Sequence, residues 1–300
     1  MRKFKYFYIP IGKSTMNWKN LFTPVKNMDS NEAKKYMDTH SSNSYQLLDV
    51  RQPDEYEKEH IPGSSLIPLP NLSDRLSELD SEKPTLVYCA VGGRSRAASQ
   101  LISGKGFNEV YNLAGGIKAW NNPKATGPVE EGLELVGDLF TGKEEYSDAF
   151  HLAYAMEKGL QLFYFGLADK EQDESHKQLF NRLAGFENKH MLRLVEEYQA
   201  DTGNKSDSNI EDFATGNMPE GVMEGGSVTK FLQKADPGFD RLSSIIDFAM
   251  SLEAQALDLY SRLAKNSDKI RVHDFFLRLA DEEKTHLNYL AKERSDIKSD

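Results

Sequence analysis

Cysteine is almost absent: Cys89 is the only one in 300 residues. A single thiol excludes an intramolecular disulfide and any four-cysteine metal site, and it suits a reducing compartment. Long apolar runs are missing as well. None approaches the roughly 18–20 residues of a membrane-spanning helix, so no membrane partner is expected. Positive charge is in deficit, with a net charge of −10. That is the wrong sign for the concentrated basic surface a nucleic-acid partner requires. The basic, aromatic stretch "MRKFKYFYIPIGKST" at positions 1–15 has an apolar part too short and too interrupted for a secretory signal. It reads as part of an N-terminal extension over 1–26, and the expected location is cytoplasmic.

What is present divides into two halves of different period. Short apolar runs, "YQLLDV" at 45–50, "TLVYCA" at 85–90 and "EVYNL" at 109–113, alternate with helical segments. This is the pattern of a parallel α/β sheet flanked by helices. Pro and Gly clusters at 60–64, 91–94 and 114–117 punctuate it. The expected α/β domain spans 27–121, with a Pro- and Gly-containing acidic linker over 122–146. From there to 295 the 3.6-residue period predicts helices over 147–170, 174–200, 240–266 and 268–294. The segment 200–239 between the second and third is too long for a helix–helix turn. It reads as a crossover joining two helices that run parallel, as in an all-α ferritin-like four-helix bundle.

The helical half repeats itself. One offset of 96 positions carries Glu157 onto Glu253, Tyr164 onto Tyr260, Phe180 onto Phe276, Glu187 onto Glu283 and His190 onto His286. "FENKH" and "EEKTH" are therefore two copies of one Glu-x-x-His element, whose Glu and His share a helix face. A Glu from each of two helices, plus Glu-x-x-His from each of the others, is the di-iron carboxylate donor set. Four buried carboxylates would repel one another or protonate, whereas two divalent ions balance them. The oxygen and imidazole ligands Glu157, Glu187, His190, Glu253, Glu283 and His286 suit two iron ions, with manganese or zinc as substitutes. Tyr164 and Tyr260 sit seven residues after the lone glutamates, on nearly the same face; the expected role is core packing with a satisfied hydroxyl, with a hydrogen bond near such a site as the alternative.

Cys89 sits in "VYCAVGGRSRAAS" at 87–99, where an apolar run ends, a Gly-rich loop turns and a helix begins. Backbone N–H groups and the positive helix end lower the pKa of a thiol placed there and prepare it as a nucleophile. The loop comprises Ala90, Val91, Gly92, Gly93 and Ser95, and Arg94 is a candidate partner for an anionic substrate. Asp49, at a strand's C-terminal end, is a further substrate-binding candidate.

"LLDVRQPDEYEKEHIPGS" at 47–64 and "NLAGGIKAW" at 112–120, together with the cysteine loop, resemble the rhodanese domain over about residues 27–121. The resemblance implies that Cys89 carries a persulfide, with thiosulfate or a persulfide as sulfur donor or acceptor. Four residues separate Cys89 from Arg94; the related dual-specificity phosphatases place five there for phosphate, which favours sulfur transfer. Residues 145–295 resemble the rubrerythrin branch of the ferritin-like superfamily. That implies a non-haem di-iron centre reducing peroxide or oxygen, with Glu187 and Glu283 bridging and Glu157 and Glu253 terminal. Two features depart from that family. Met250 and Ala256 occupy the places of its usual seventh carboxylate, and no four-cysteine rubredoxin-like domain is encoded. The implied electron donor is thus an external rubredoxin-like protein, and a homodimer is expected.

The function these features lead to expect is a two-domain enzyme of linked sulfur and oxidant metabolism. The alternative is an iron-binding, storage or oxidant-sensing protein in which the first domain docks a partner or delivers sulfur. A third reading makes the helical half a dimerisation scaffold for a sulfurtransferase.

Overall fold

A computed structural model describes residues 25–127, 140–203 and 239–297. The N-terminal extension up to residue 24, the middle of the linker (128–139) and most of the crossover (204–238) lie outside the described residues.

The first part is a five-stranded parallel sheet: β1 (Lys26–Met28), β2 (Gln46–Asp49), β3 (Ser65–Leu66), β4 (Thr85–Tyr88) and β5 (Val110–Leu113), in the order β1-β5-β4-β2-β3. Helices α1 (Ser30–Thr39), α2 (Pro53–Lys58) and α3 (Gly93–Gly104) connect and cover it. Successive strand residues face opposite sides of a sheet, and two apolar clusters record this. Leu47, Leu86 and Tyr88 join Met37 and Trp120 on one face. Leu48, Val87 and Cys89 join Ala98 and Ile102 of α3 on the other. The alternation Leu86, Val87, Tyr88, Cys89 therefore delivers the thiol to the α3 side of the sheet.

The runs at 45–50, 85–90 and 109–113 became β2, β4 and β5, while β1 and β3, three and two residues long, were not anticipated. The described ends of the linker belong to the parts they adjoin. Ala125 pairs with His60 in an isolated antiparallel bridge, and the Gly127 N–H donates to Glu57 O at 2.8 Å. Phe140, at the other end, is buried among the helices.

The second part consists of α4 (Tyr146–Lys170), α5 (Glu174–Thr202), α6 (Leu242–Lys265) and α7 (Ile270–Asp296). Asp173 caps α5 by accepting from the Ser175 and His176 N–H groups, and Gly203 closes that helix at φ 69°. Two apolar clusters fill the interior, and the order in which each helix crosses them fixes its direction. Helix α4 goes from the cluster of Phe150 and Tyr154 to that of Tyr164 and Ala168, and α7 crosses in the same sense, from Phe276 and Leu279 to Leu290. Helices α5 and α6 go the opposite way, from Phe180 and Ile245 respectively to Leu194 and Tyr260. So α5 and α6 run parallel, which is the geometry that a long connection between residues 203 and 239 has to serve. No described helix is long and apolar enough to cross a membrane.

Candidate functional site

Between the two apolar clusters of the helical part lies a polar layer to which every helix contributes at one level: Glu157 from α4, Glu187 and His190 from α5, Glu253 from α6, Glu283 and His286 from α7. The four glutamates are each no more than 5% exposed. All six predicted residues come together. Potential ligand atoms of Glu157, Glu187 and His190 lie within 4.8 Å of one another, as do those of His190, Glu283 and His286. His190 Nδ1 is 3.0 Å from Glu157 Oε2 and 3.1 Å from Glu187 Oε2. His286 Nδ1 is 3.3 Å from Glu283 Oε2 and 3.9 Å from Glu253 Oε2. The two imidazoles stack with centroids 3.9 Å apart.

Seclusion from water decides the protonation of this layer. Burial pushes Glu187, Glu253 and Glu283 above the ordinary carboxylate range, Glu283 to about 8, with neighbouring carboxylates adding to the rise. Burial also opposes the charge on His190, yet its hydrogen bond to Glu157 and the nearby carboxylates of Glu157 and Glu187 raise it to about 12. Glu157, buried but facing His190 and Tyr260, ends below its usual value. His286 is lowered by burial and by the charge on His190. Left to themselves Glu187, Glu253 and Glu283 favour the protonated form, as buried clustered carboxylates do, while a protonated His190 faces the Glu157 carboxylate. A pair of divalent cations would replace those protons. Glu187 Oε2 is buried without a hydrogen bond although it lies near His190. The single Nδ1 hydrogen goes to Glu157, so Glu187 retains a free acceptor facing the layer. On donor chemistry and on that unsatisfied oxygen the site fits two first-row metal ions.

The two tyrosines differ. Tyr260 donates to Glu157 Oε1 at 2.6 Å, whereas the Tyr164 hydroxyl is fully buried without a hydrogen bond.

The second centre lies at the C-terminal end of β4. Cys89 is 1% exposed. Its Sγ accepts from the Gly92 N–H at 3.1 Å and lies 3.4 Å from Ser95 Oγ. Gly92, at φ 96°, caps α3 in the left-handed region, which turns the loop back over the sulfur. Burial pushes the thiol up. Hydrogen bonds from the Ser95 hydroxyl and from the backbone N–H groups of Ser95, Val91 and Gly92 outweigh it, leaving the thiol below its ordinary value. Val91, in the same loop, is 60% exposed, so the mouth of the loop faces solvent.

Arg94 is held by a bidentate pair with Glu55, both contacts at 2.6 Å. Glu55 drops to about 2, chiefly through its hydrogen bonds to Arg94. The reading of the sequence did not single out Glu55; its only local signal is the acidic first turn of α2. Asp49 stands away from the loop's hydrogen bonds. Its carboxylate is committed to Arg51, accepting from the backbone N–H at 2.9 Å and from Nε at 2.8 and 3.0 Å, an anchoring role.

"AGGI" acquires a physical reason. Ile117 N–H donates to Cys89 O at 2.9 Å and Lys118 N–H to Ala90 O at 3.1 Å. At Gly116, φ 59°, an added Cβ would stand 2.2 Å from Cys89 O. Only glycine allows that approach.

The two parts meet along a polar seam. His60, fully buried and stacked on Tyr56, lies with Nε2 3.1 Å from Asp258 Oδ2 and 3.1 Å from an Arg262 terminal nitrogen. Asp258 pairs with Arg262 and accepts from the Gly63 N–H at 2.9 Å. Lys284, next to Glu283, donates to Met37 O at 3.1 Å and His40 O at 3.0 Å at the end of α1. Asp281 accepts from the Ser42 N–H and hydroxyl.

Residues 30–123 match the model of the family described as "Rhodanese-like domain". Thiosulfate sulfurtransferase GlpE of Coxiella burnetii is 40% identical over 74 residues, which cover 25% of this chain and 69% of that protein. An uncharacterised Bacillus subtilis protein, YqhL, is 45% identical over 75 residues, 25% of this chain and 60% of that protein's length. Among solved structures, a rhodanese-related protein from Thermoplasma volcanium is 30% identical, covering 33% of this chain and 97% of that one with a TM-score of 0.30. Through its parallel α/β domain, with the thiol at the end of β4 and the glycine-bounded loop around it, the chain belongs to the rhodanese-like family.

Proposed function

We propose that the chain is a sulfurtransferase whose rhodanese-like domain carries sulfane sulfur on Cys89. The observation that carries the reading is the Cys89 sulfur facing Gly92 N–H and the Ser95 hydroxyl in the loop that opens α3. The donors that favour a thiolate also favour negative charge on an incoming sulfur group. The thiolate attacks the outer sulfur of thiosulfate, an S–S bond forms to Cys89, and sulfite leaves with the electron pair of the broken S–S bond. A nucleophilic acceptor then takes the outer sulfur and Cys89 returns as thiolate. Arg94, at the loop's edge and oriented by Glu55, supplies positive charge toward the entering dianion.

We further propose that the helical part is a ferritin-like, rubrerythrin-like di-iron bundle. Glu157, Glu187, His190, Glu253, Glu283 and His286 would hold the metal pair, which supplies redox chemistry toward peroxide or oxygen with electrons from an external donor. Support comes from the six donors meeting in one buried layer and from the free Glu187 oxygen. Around that layer the chain excludes water with its two apolar clusters, and Tyr260 holds Glu157 in orientation.

Two assays on the full chain separate the parts. Thiosulfate-to-cyanide sulfur transfer is expected for the parent and absent in Cys89→Ser; transfer that survives the substitution overturns the thiol reading. Elemental analysis is expected to give about two irons per chain, lost in Glu283→Ala, His286→Ala. Substoichiometric metal untouched by the substitutions overturns the metal reading.

A further inference from the structure

Behind the loop's Ser95 stand two side chains that neither the loop motif nor the proposed chemistry uses, Asn112 and Asn27. Ser95 Oγ lies 3.4 Å from Cys89 Sγ but only 2.6 Å from Asn112 Oδ1, on β5. Asn112 Nδ2 in turn donates to Asn27 Oδ1 at 2.8 Å. The parallel register of β1 and β5 sets Asn27 directly beside Asn112, so the two amides form a lateral pair that turns Oδ1 of Asn112 toward Ser95. Ser95, Asn112 and Cys89 are all buried, the serine and cysteine almost completely.

A hydroxyl has one hydrogen. Asn112 Oδ1 is only an acceptor, so at 2.6 Å the Ser95 hydrogen belongs to it, and Ser95 Oγ is left to accept from the Cys89 S–H. Ionisation of Cys89 reverses the demand: the thiolate needs the hydrogen, and supplying it leaves the Asn112 oxygen without a donor. Once Cys89 carries sulfur, the negative charge lies on the outer atom and the hydroxyl can turn back.

We propose that Asn112, held by Asn27, is a positioning residue that competes with the Cys89 thiolate for the Ser95 hydrogen and so restrains the thiolate in the resting protein. The proposal rests on Cys89 being the sulfur carrier, but its test needs no substrate. The charged groups that reach toward the sulfur are Arg94 on α3 and its partner Glu55 on α2. Strand β5 contributes the neutral Asn112 alone, and none of the variants touches the ion pair.

The experiment titrates the Cys89 thiolate in the full chain by its ultraviolet absorbance and by the pH dependence of its alkylation by iodoacetamide. Ser95→Ala is expected to lower the thiolate fraction at fixed pH by on the order of tenfold, the scale of one hydrogen bond to a charged group. Asn112→Leu is expected to raise it by a factor of several. Asn27→Ala, at an exposed edge-strand position that folding tolerates, is expected to raise it less. In the Ser95→Ala background, Asn112→Leu is expected to change nothing, since the hydroxyl through which it acts is gone; a merely structural asparagine would still act there. A thiolate fraction that is unchanged or lower in Asn112→Leu overturns the proposal, as does a persistent effect in the double variant. If Asn112→Leu fails to fold, an unchanged titration in Asn27→Ala overturns it. Failure of thiosulfate turnover with these shifts present would count against the sulfurtransferase reading alone.

Discussion

Asp258→Ala strikes the buried clasp between the sheet and the helices. The wild-type carboxylate is 2% exposed, accepts from the Gly63 N–H, lies 3.1 Å from His60 Nε2 and pairs with Arg262. An exposed ion pair is worth about 0–1 kcal/mol. Removing one member of a buried pair costs about 3–5 kcal/mol, because the remaining charge stays desolvated without compensation. Here the remaining charge is Arg262, 8% exposed, which loses its carboxylate partner but keeps its contact with His60 Nε2. Loss of the acceptor for Gly63 overlaps with that cost, so the expected total remains about 3–5 kcal/mol. Burial raises the Asp258 carboxyl, but hydrogen bonding and charge from His60 and the charge of Arg262 outweigh it, and the group ends below its ordinary value. A carboxyl depressed by folding contributes fully above its unfolded pKa, about 4, and loses that contribution as pH falls through its folded value. The gap between parent and variant is therefore full at neutral pH and narrows in acid. Urea unfolding followed at once by far-ultraviolet circular dichroism and by aromatic fluorescence measures it. Asp258→Leu with Arg262→Met removes both charges and is expected to recover a large part of the loss. A cost under about 1 kcal/mol for Asp258→Ala, or no recovery in the double variant, would refute the reasoning.

Three further outcomes follow from the same geometry. Gly116→Ala places a Cβ 2.2 Å from Cys89 O at a left-handed φ. Sulfur transfer is expected to fall by at least tenfold while helical circular dichroism is unchanged; normal turnover would show that the loop does not need that approach. Arg94→Lys loses the two-pronged contact with Glu55, so KM for thiosulfate is expected to rise more than kcat falls, as steady-state kinetics would show. Asp173→Ala removes the acceptor for two N–H groups at the start of α5 and is expected to cost about 1 kcal/mol in urea unfolding.

The strands that carry most of the sheet were legible because β2 and β4 are buried almost throughout and read as apolar runs. The helices were legible because their period and their repeat agree. The edge strands β1 and β3 were not, since two or three residues display no period. The meeting of the six Glu and His residues in one layer could be read from spacing alone, because the duplication writes the same contacts twice. Glu55 with Arg94, Asn27 with Asn112 and His60 with Asp258 could not. Each pair is separated along the chain by 39, 85 and about 200 positions, and nothing local at either end announces the other. His60 shows the limit well. Its Nδ1 lies against Tyr56 O within its own domain, but its other nitrogen reaches Asp258 in the second half of the molecule.

The duplication also explains where the two hairpins had to diverge. Inward positions match, and both hairpins bring the same groups to the buried polar layer. Outward positions are bound by no such rule, and among the described residues the hydrogen bonds that tie the helices to the sheet part come from α6 and α7. Asp258, Arg262, Asp281 and Lys284 of the seam correspond, by the same offset of 96, to Leu162, Gly166, Gly185 and Asn188. Ser261, which Gly63 approaches, corresponds to Phe165. Among the described residues Leu162 and Phe165 are 48% and 41% exposed, so the first hairpin carries apolar side chains where the second carries a clasp. The contrast yields a paired measurement. Leu162→Asp is expected to change stability by less than about 0.5 kcal/mol, as on an open surface. Asp258→Leu at the equivalent position leaves Arg262 buried opposite an apolar group and is expected to cost several times more. Equal costs would mean that the first hairpin's outer face is covered in the folded protein as firmly as the second's.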